Sequence, residues 1–469
     1  MATDELWRWS AVDLAAAIAT KKISSHEATQ SAVARMRAKN PAINAVTVDL
    51  GDDALRIADD ADAAVKSGAT LGALHGVPVT VKQNVDFKGQ ANVNGVPAYA
   101  NLIAPDDSPV VSNLRKAGAV VIGLTNTPEF SMRAVTENPI YGRTLNPWDS
   151  AITCGGSSGG AGAAVASGFG AIAHGNDIGG SLRWPAFCNG VSTIRPTQGR
   201  IPAFNPSATA ERPLLAQLMS TQGPLAREIR DVRLALQAMS MRDARDPWWV
   251  PAPLEGPPAA KKIAIVDISK NYSVHPAILK AVDDAARMLR DAGYETTRVE
   301  APDIARPLEL WWRLLGAEMR HLQGYMLELG SPQMKEIVSA YLEIGGDIEL
   351  KDYMAGMAER SGHIRRWMAF LEDYSVALTP LAFQPSFPPD GDVGGRAAIE
   401  KMFSAFPYQT GLNLLGLPCV VTPTGLHEGR PIGVQLIASR YREDLALAAG
   451  EAIGREVGAL AQTLWSRSG

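Results

Sequence analysis

Residues 155–186 read GGSSGGAGAAVASGFGAIAHGNDIGGSLRWPA, a tract in which small residues predominate. Ten glycines fall between positions 155 and 181, together with the serines at 157, 158, 167 and 181. Glycine at this density indicates that the backbone packs tightly against another segment or presents its N–H groups to a ligand. We therefore take this tract as the candidate functional site.

The chain on the N-terminal side of the tract predicts alternating strands and helices. Apolar β-branched residues alternate from Val77 to Val81, which predicts a short strand that ends at Lys82. Residues 112–119 have the pattern of a short helix, and residues 120–124 (VVIGL) that of a buried strand. A strand, a helix and a second strand in this order indicate βαβ units and a parallel or mixed sheet.

Two nucleotide-binding motifs fail in the glycine-rich tract. A phosphate-binding P-loop needs Gly-Lys followed by Ser or Thr, and no Gly-Lys pair occurs in the sequence. The dinucleotide fingerprint fails because its third glycine would fall at Val165. The segment from Gly155 to Gly159 does fit the G-x-S-x-G nucleophile elbow, but no histidine downstream has a context that marks a catalytic partner. An elbow-type esterase stays an alternative.

A serine nucleophile needs a base, and Lys82 has the most suggestive setting. A lysine at the end of an apolar strand would have a buried stem, and burial disfavours the ammonium form and lowers its pKa. To act as a base near neutrality, its pKa must fall from about 10.4 to roughly 7–8. A lysine that instead extends to the surface would be a structural residue. The lysine is thus a candidate base for the serines of the tract.

Three segments resemble the amidase signature family: LHGVPVTVKQNVDFKG (74–89), GGSSGGAGAAVASG (155–168) and GNDIGGSLRWPA (175–186). The resemblance extends over nearly the whole chain and is weakest from about residue 205 to 380. It implies an α/β fold with a large mixed, mostly parallel β-sheet covered by helices on both faces. It also implies that residues 1–469 form a single domain. Within it we expect an N-terminal helical segment (1–70), a signature core (71–200), a mostly helical, substrate-determining region (201–385) and a C-terminal α/β return to the core (386–469).

By this resemblance, Ser181 is the nucleophile, Ser157 is a bridging serine that follows a cis peptide bond, and Lys82 is the terminal base. A serine hydroxyl is a poor nucleophile until its proton is removed, and neutral lysine can remove it through the intervening serine. Consecutive backbone amides at Ile178, Gly179 and Gly180 are expected to form an oxyanion hole. No metal or cofactor is implied.

The remaining site expectations concern support and substrate contact. The supporting residues are expected to be Ser158, Asp177, Arg183 and Gly156, and the candidate pocket residues are Ser131, Met132, Arg133, Tyr141 and Cys154. The chain departs from the family pattern at Asn176, where threonine is common. Cys154 and Cys188 flank the tract, but a cysteine nucleophile of the nitrilase kind would also need a glutamate and a lysine, and nothing in the sequence marks them.

Composition narrows the remaining function classes. The net charge of −4 gives no electrostatic reason to expect a nucleic-acid or membrane partner. Three cysteines in 469 residues do not make a disulfide framework, so we expect a cytoplasmic protein. The expected reaction is hydrolysis of a small linear amide. An aryl amide (as for an aryl acylamidase), a carbamate (as for a urethanase) or an ester stays open as the substrate. The oligomeric state also stays open, with a homodimer as one alternative. The family alternative is the glutaminase-type subunit of a tRNA-dependent amidotransferase.

Overall fold

The computed structural model describes residues 3–268 and 271–467. Within those ranges the helices α1–α17 are Ala11–Ala19, Ser25–Lys39, Gly51–Ser67, Pro109–Lys116, Gly159–Ser167, Arg183–Asn189, Leu214–Met219, Ile229–Met239, Pro276–Asp291, Ala305–Leu322, Tyr325–Leu329, Pro332–Gly345, Leu350–Asp373, Gly395–Phe403, Pro407–Leu415, Glu443–Val457 and Ala461–Arg467. The strands β1–β13 are Val46–Asp49, Pro78–Lys82, Val120–Thr125, Glu137–Asn138, Gly142–Arg143, Ile172–Asp177, Ser192–Arg195, Thr221–Ala226, Lys262–Val266, Glu295–Val299, Val376–Pro380, Cys419–His427 and Arg430–Ile437.

Eleven strands form one sheet in the order β1-β3-β2-β6-β8-β7-β12-β13-β11-β9-β10, and β4 and β5 form a separate ribbon. The large mixed sheet expected from the sequence is confirmed. Its parallel pairs are β2–β3, β2–β6, β9–β11 and β9–β10. The other six pairs are antiparallel, so parallel pairing is less extensive than expected. One cause is the β12–β13 hairpin, whose turn residues Glu428 and Gly429 both have positive φ, as the preferred two-residue hairpin turn requires.

Helices cover both faces of the sheet, as the resemblance implies. Successive residues of a strand point to opposite faces. In β9, Ile263 and Ile265 belong to the apolar cluster that contains Ile278 of α9. Ala264, between them, belongs to the cluster that contains Trp367 of α13. The two faces of this part of the sheet are therefore buried by different helices.

Two parts of the chain that were expected to be helical or mostly helical also contribute strands to the sheet. The first 70 residues are mainly helical, but β1 lies among them and pairs antiparallel with β3. Four residues are too few for a strand period to emerge between two helices. The region 201–385 likewise contributes β8, β9, β10 and β11 to the sheet in addition to its helices.

The sheet places the candidate site at one edge. Strands β2 and β6 are parallel neighbours, so Lys82 and Asp177, their last residues, lie at the same edge of the sheet. Helix α5 begins at Gly159, directly after the serine pair. In the described ranges, no helix is both long and apolar enough to span a bilayer.

Candidate active site

Lys82 is fully buried at the end of β2, with no exposed surface. Its Nζ lies 2.7 Å from Ser157 Oγ, 3.1 Å from Ser158 Oγ and 2.9 Å from Asn176 Oδ1. The first distance lies within the range in which a base can take a proton through a hydrogen bond. The structure thus brings together a lysine and a serine that are 75 positions apart in the chain.

The Gly156–Ser157 peptide bond is cis. The backbone here passes so close to the neighbouring segment that a Cβ on Gly156 would lie 2.5 Å from the carbonyl oxygen of Arg133 and 2.6 Å from the backbone N and O of Val135. No side chain fits in that space, so glycine is required at 156 on packing grounds.

Ser181 lies in the loop that follows β6 and is partly exposed in a pocket that Gly156 also lines. The backbone N–H of Ser158 donates to the carbonyl oxygen of Ser181 over 3.3 Å, which ties this loop to the serine pair. The contact joins the two serine segments through their backbones.

Outside partners hold the peptide groups of the 178–181 loop in place. The Trp311 indole N–H donates to the Ile178 carbonyl over 3.0 Å, and Gln409 Nε2 donates to the Gly179 carbonyl over 3.1 Å. The C=O and N–H of a trans peptide point in opposite directions, so these bonds also fix the directions of the next N–H groups. The Gly180 N–H points at Asp177 Oδ1, 2.8 Å away. Of the three amides expected to be free for a substrate oxygen, the Gly180 amide is therefore already engaged.

Asp177 and Arg183 form the support beneath this loop. Both are fully buried, with Arg183 Nε 3.0 Å from Asp177 Oδ2. Asp177 also accepts from the Leu182 backbone and from Asn413 Nδ2, at 3.1 and 2.7 Å. Burial would raise the pKa of the Asp177 carboxyl, but the charge and hydrogen bonds of Arg183 hold that pKa well below its usual range. The carboxylate therefore stays ionised and fixes the loop.

Burial sets the protonation of two further groups at the sheet edge. It lowers the pKa of the Lys82 ammonium well below the ordinary value of 10.5, and the negative charge of Asp177 opposes this only in part. His174, on β6, is fully buried and its Nε2 lies 2.8 Å from Gln222 Oε1. Burial lowers the pKa of His174 to about 4. His174 is therefore uncharged at neutral pH, and burial favours the uncharged amine of Lys82.

Four of the thirteen residues that line the pocket at Ser181 are aromatic. Its lining consists of Ser131, Met132, Arg133, Ala134, Gly156, Ile178, Gly179, Ser181, Trp311, Tyr341, Phe403, Phe406 and Gln409. The wall at Arg133 is fixed by a buried ion pair in which its Nε and one terminal nitrogen each lie 2.9 Å from Asp392. Ser181 therefore shares this pocket with four aromatic side chains.

Two of the expected pocket residues lie elsewhere. The Tyr141 hydroxyl accepts a hydrogen bond from Gln83, on the side of β2 rather than in the pocket. Cys154 is buried beneath α5, where its thiol donates to the Thr144 carbonyl over 3.3 Å. Burial raises the pKa of the Cys154 thiol to about 12, so a thiolate nucleophile is not available there at neutral pH.

Several site residues went unrecognised in the sequence. Asn176 contacts Lys82 and is itself bonded to Asn84. The pocket wall comes from Trp311, Tyr341, Phe403, Phe406 and Gln409. For the asparagines, the sequence offered one indication, namely asparagine instead of threonine at position 176. The aromatic residues looked like ordinary residues of the hydrophobic core. In the described part of the chain, no cluster of three or more His, Cys, Asp or Glu side chains is arranged to hold a metal ion.

Comparison with known proteins adds three findings. A family model described as Amidase matches residues 27–447. An indoleacetamide hydrolase of Bradyrhizobium diazoefficiens is 54% identical over 98% of this chain and 88% of its own, and an acylamidase of Rhodococcus erythropolis is 31% identical over 94% of each. The solved structure of a bacterial aryl acylamidase of the amidase signature family shares the fold, with a TM-score of 0.84 and 24% identity over 98% of both chains.

Proposed function

The chain belongs to the amidase family of amide hydrolases, and from that premise we propose that it cleaves small amides through an acyl-enzyme on Ser181. The observation that carries the proposal is the 2.7 Å contact between the fully buried Lys82 Nζ and Ser157 Oγ. A buried amine with a depressed pKa beside a hydroxyl is a base in position to accept its proton.

The proposed reaction moves one proton along the row Ser181, Ser157, Lys82. As Ser181 Oγ attacks the amide carbon, its proton passes to Ser157 while the Ser157 proton passes to Lys82. The C–N bond then breaks, and the leaving nitrogen takes a proton back from Ser157, which is reprotonated by Lys82. A water molecule repeats the sequence on the ester, which releases the carboxylic acid and restores all three groups.

Backbone N–H groups of the 178–181 loop are proposed to stabilise the negative charge that develops on the amide oxygen when Ser181 attacks the amide carbon. The contact of Trp311 with the Ile178 carbonyl supports this, because it fixes the peptide plane that carries the Gly179 N–H before substrate arrives. Gly180, whose N–H is bonded to Asp177, contributes chiefly through its backbone shape. It has φ of +117°, and a side chain there would collide with Gln409.

The proposed substrate is a primary amide with an aromatic acyl group, of the kind named for the indoleacetamide hydrolase relative. The support is the pocket, where Trp311, Tyr341, Phe403 and Phe406 surround the space next to Ser181. Burial of an aromatic ring there would contribute about 1.5–3 kcal/mol. That corresponds to roughly 10- to 150-fold in kcat/KM over an aliphatic amide of similar reactivity.

A substrate panel tests this proposal. Indole-3-acetamide, acetamide, 4-nitroacetanilide, an aryl carbamate, an aryl ester and glutamine are compared with wild type, Ser181→Ala and Ser404→Ala. The last is a control at an exposed serine at the end of α14. We expect indole-3-acetamide to be the preferred amide and every activity to vanish in Ser181→Ala only. Preference for acetamide or glutamine contradicts the substrate assignment, and activity in Ser181→Ala contradicts the nucleophile.

A further inference from the structure

The Asn176 side chain contacts the proposed base, yet the proton relay described above does not use it. Its Oδ1 lies 2.9 Å from Lys82 Nζ. We propose that Asn176 is a positioning residue that, together with Ser158, engages both N–H groups of neutral Lys82 and leaves the lone pair directed at Ser157. This inference rests on the proposed function, because it concerns the orientation of the base.

The orientation of the Asn176 amide is fixed by a chain of hydrogen bonds. Its Nδ2 donates to Asn84 Oδ1 over 2.8 Å, and Asn84 Nδ2 donates to Ser131 Oγ over 2.9 Å. Ser131 Oγ donates to Asn94 Oδ1 over 2.7 Å, so its oxygen accepts from Asn84. Thr127 Oγ1, 2.9 Å from Ser131 Oγ, is then a second donor to it. Asn84 must therefore present its oxygen to Asn176 Nδ2. The Asn176 oxygen consequently faces Lys82, where it can only accept a hydrogen bond.

Ser158 is the second acceptor. Its hydroxyl lies 3.3 Å from the carbonyl oxygen of Asn176, to which it donates, and it accepts from the Asn176 backbone N–H over 3.4 Å. A hydroxyl carries a single proton, so with that proton directed at the carbonyl, Ser158 can only accept from Lys82. The backbone of Asn176 thus orients the Ser158 hydroxyl, and its side chain supplies the other acceptor for Lys82.

A proton count for Lys82 then gives the direction of its lone pair. A neutral amine has two N–H groups and one lone pair. Asn176 Oδ1 and Ser158 Oγ take the two N–H groups, which leaves the lone pair for Ser157 Oγ at 2.7 Å. After the proton transfer, the resulting ammonium has three N–H groups and finds three acceptors in the same positions. The three oxygen atoms around Lys82 Nζ therefore accommodate both the amine and the ammonium form of the lysine without rearrangement.

The charged groups around Lys82 are few, so a change at Asn176 should be measurable. Strand β6 brings His174 and Asp177, the latter paired with Arg183. Strand β3 (VVIGLT) and helix α5 (GGAGAAVAS) carry no ionisable residue. Helix α2, which also packs on β2, directs its acids and bases elsewhere; its Glu27, for example, bonds to Ser24.

The test compares the pH dependence of kcat/KM in wild type, Asn176→Asp and Asn176→Leu. A carboxylate at position 176 favours the ammonium form of Lys82. The acid limb of the kcat/KM profile should therefore move about 1 pH unit or more to higher pH. Leucine removes an acceptor that binds the ammonium more strongly than the amine, so the limb should move to lower pH. The plateau kcat in Asn176→Leu should fall by about tenfold or more with KM little changed, because only the base is affected.

Three further variants make the result interpretable. Asn176→Thr retains an acceptor and should keep the limb near that of wild type, whereas Asn101→Asp adds the same charge on an exposed turn and should not move it. If both Asn176→Asp and Asn176→Leu leave the limb in place while Lys82→Ala is inactive, the inference is overturned and the proposed function stands. If Lys82→Ala retains activity, the proposed function fails instead, and this inference fails with it.

Discussion

Replacement of Trp311 by phenylalanine should lower kcat without a matching change in KM. The substitution removes the indole N–H that donates to the Ile178 carbonyl over 3.0 Å and keeps an aromatic ring in the pocket. The lost bond orients the peptide between residues 178 and 179, whose N–H we propose as an oxyanion donor. The variant therefore acts on the transition state more than on substrate binding.

The expected magnitude lies between two limits. A net hydrogen bond contributes about 1 kcal/mol, so its loss changes the preference for the correct peptide orientation about fivefold. Complete loss of one oxyanion donor costs roughly 3–4 kcal/mol, or about 10²- to 10³-fold in kcat. We therefore expect kcat for indole-3-acetamide to fall at least about fivefold and by no more than about 10³-fold.

The assay is steady-state kinetics on indole-3-acetamide, with Trp312→Phe as the matched control. Trp312 packs edge-on against Trp311, but its indole N–H makes no hydrogen bond to the residues described in the structure. The amino acid 3-benzothienylalanine, incorporated at position 311, keeps a bicyclic ring but has no N–H. It therefore distinguishes the effect of the lost hydrogen bond from the effect of the smaller ring. An unchanged kcat in that protein would refute the argument, as would an equal loss in Trp312→Phe.

Three more predictions concern the base and the packing around the site. Lys82→Arg should lower kcat by about 10²- to 10⁴-fold at pH values where the wild-type lysine is neutral, because a guanidinium does not lose its proton. A pH-rate profile checks this: wild type should lose activity as the pH falls and Lys82 becomes protonated, and the difference between the two proteins should narrow there. Asp392→Asn should lower the free energy of unfolding in urea by about 3 kcal/mol, because it leaves the buried Arg133 without its charge partner. Replacement of both members of this pair, as Arg133→Met with Asp392→Leu, should cost less than the single change, and an equal or larger cost would contradict the ion-pair argument. Gly156→Ala should abolish activity and lower Tm in a thermal melt, because its Cβ has no space between the neighbouring backbone atoms; a variant with native Tm and kcat would show that the segment relaxes.

The parts of the fold and site that the sequence predicted are those encoded locally. The alternation before Lys82 gave the strand and its end, and the small residues from 155 onward corresponded to close backbone packing. The proposed roles of Ser157 and Ser181 came from the family resemblance rather than from the residues alone. The short strand β1 was missed because its period spans only four residues.

The parts that were missed depend on contacts between distant segments. Trp311 reaches Ile178 across 133 positions, and Asp392 reaches Arg133 across 259. Neither partner has a local pattern that differs from an ordinary buried aromatic or a loop carboxylate. Tyr141 was expected in the pocket because it is aromatic, but the fold places it beside Gln83. Such pairings become visible only when the sheet order is known.

The central claim is that Ser181 carries the acyl group and that Lys82 activates it. The most direct measurement is peptide mapping by mass spectrometry after treatment with a slowly hydrolysed aryl carbamate, in wild type, Ser181→Ala and Lys82→Ala. We predict a single carbamoyl adduct on Ser181 in wild type, no adduct in Ser181→Ala, and adduct formation slowed by about 10²-fold or more in Lys82→Ala. An adduct on Ser157 or on a cysteine, or labelling of Lys82→Ala at the wild-type rate, would contradict the account.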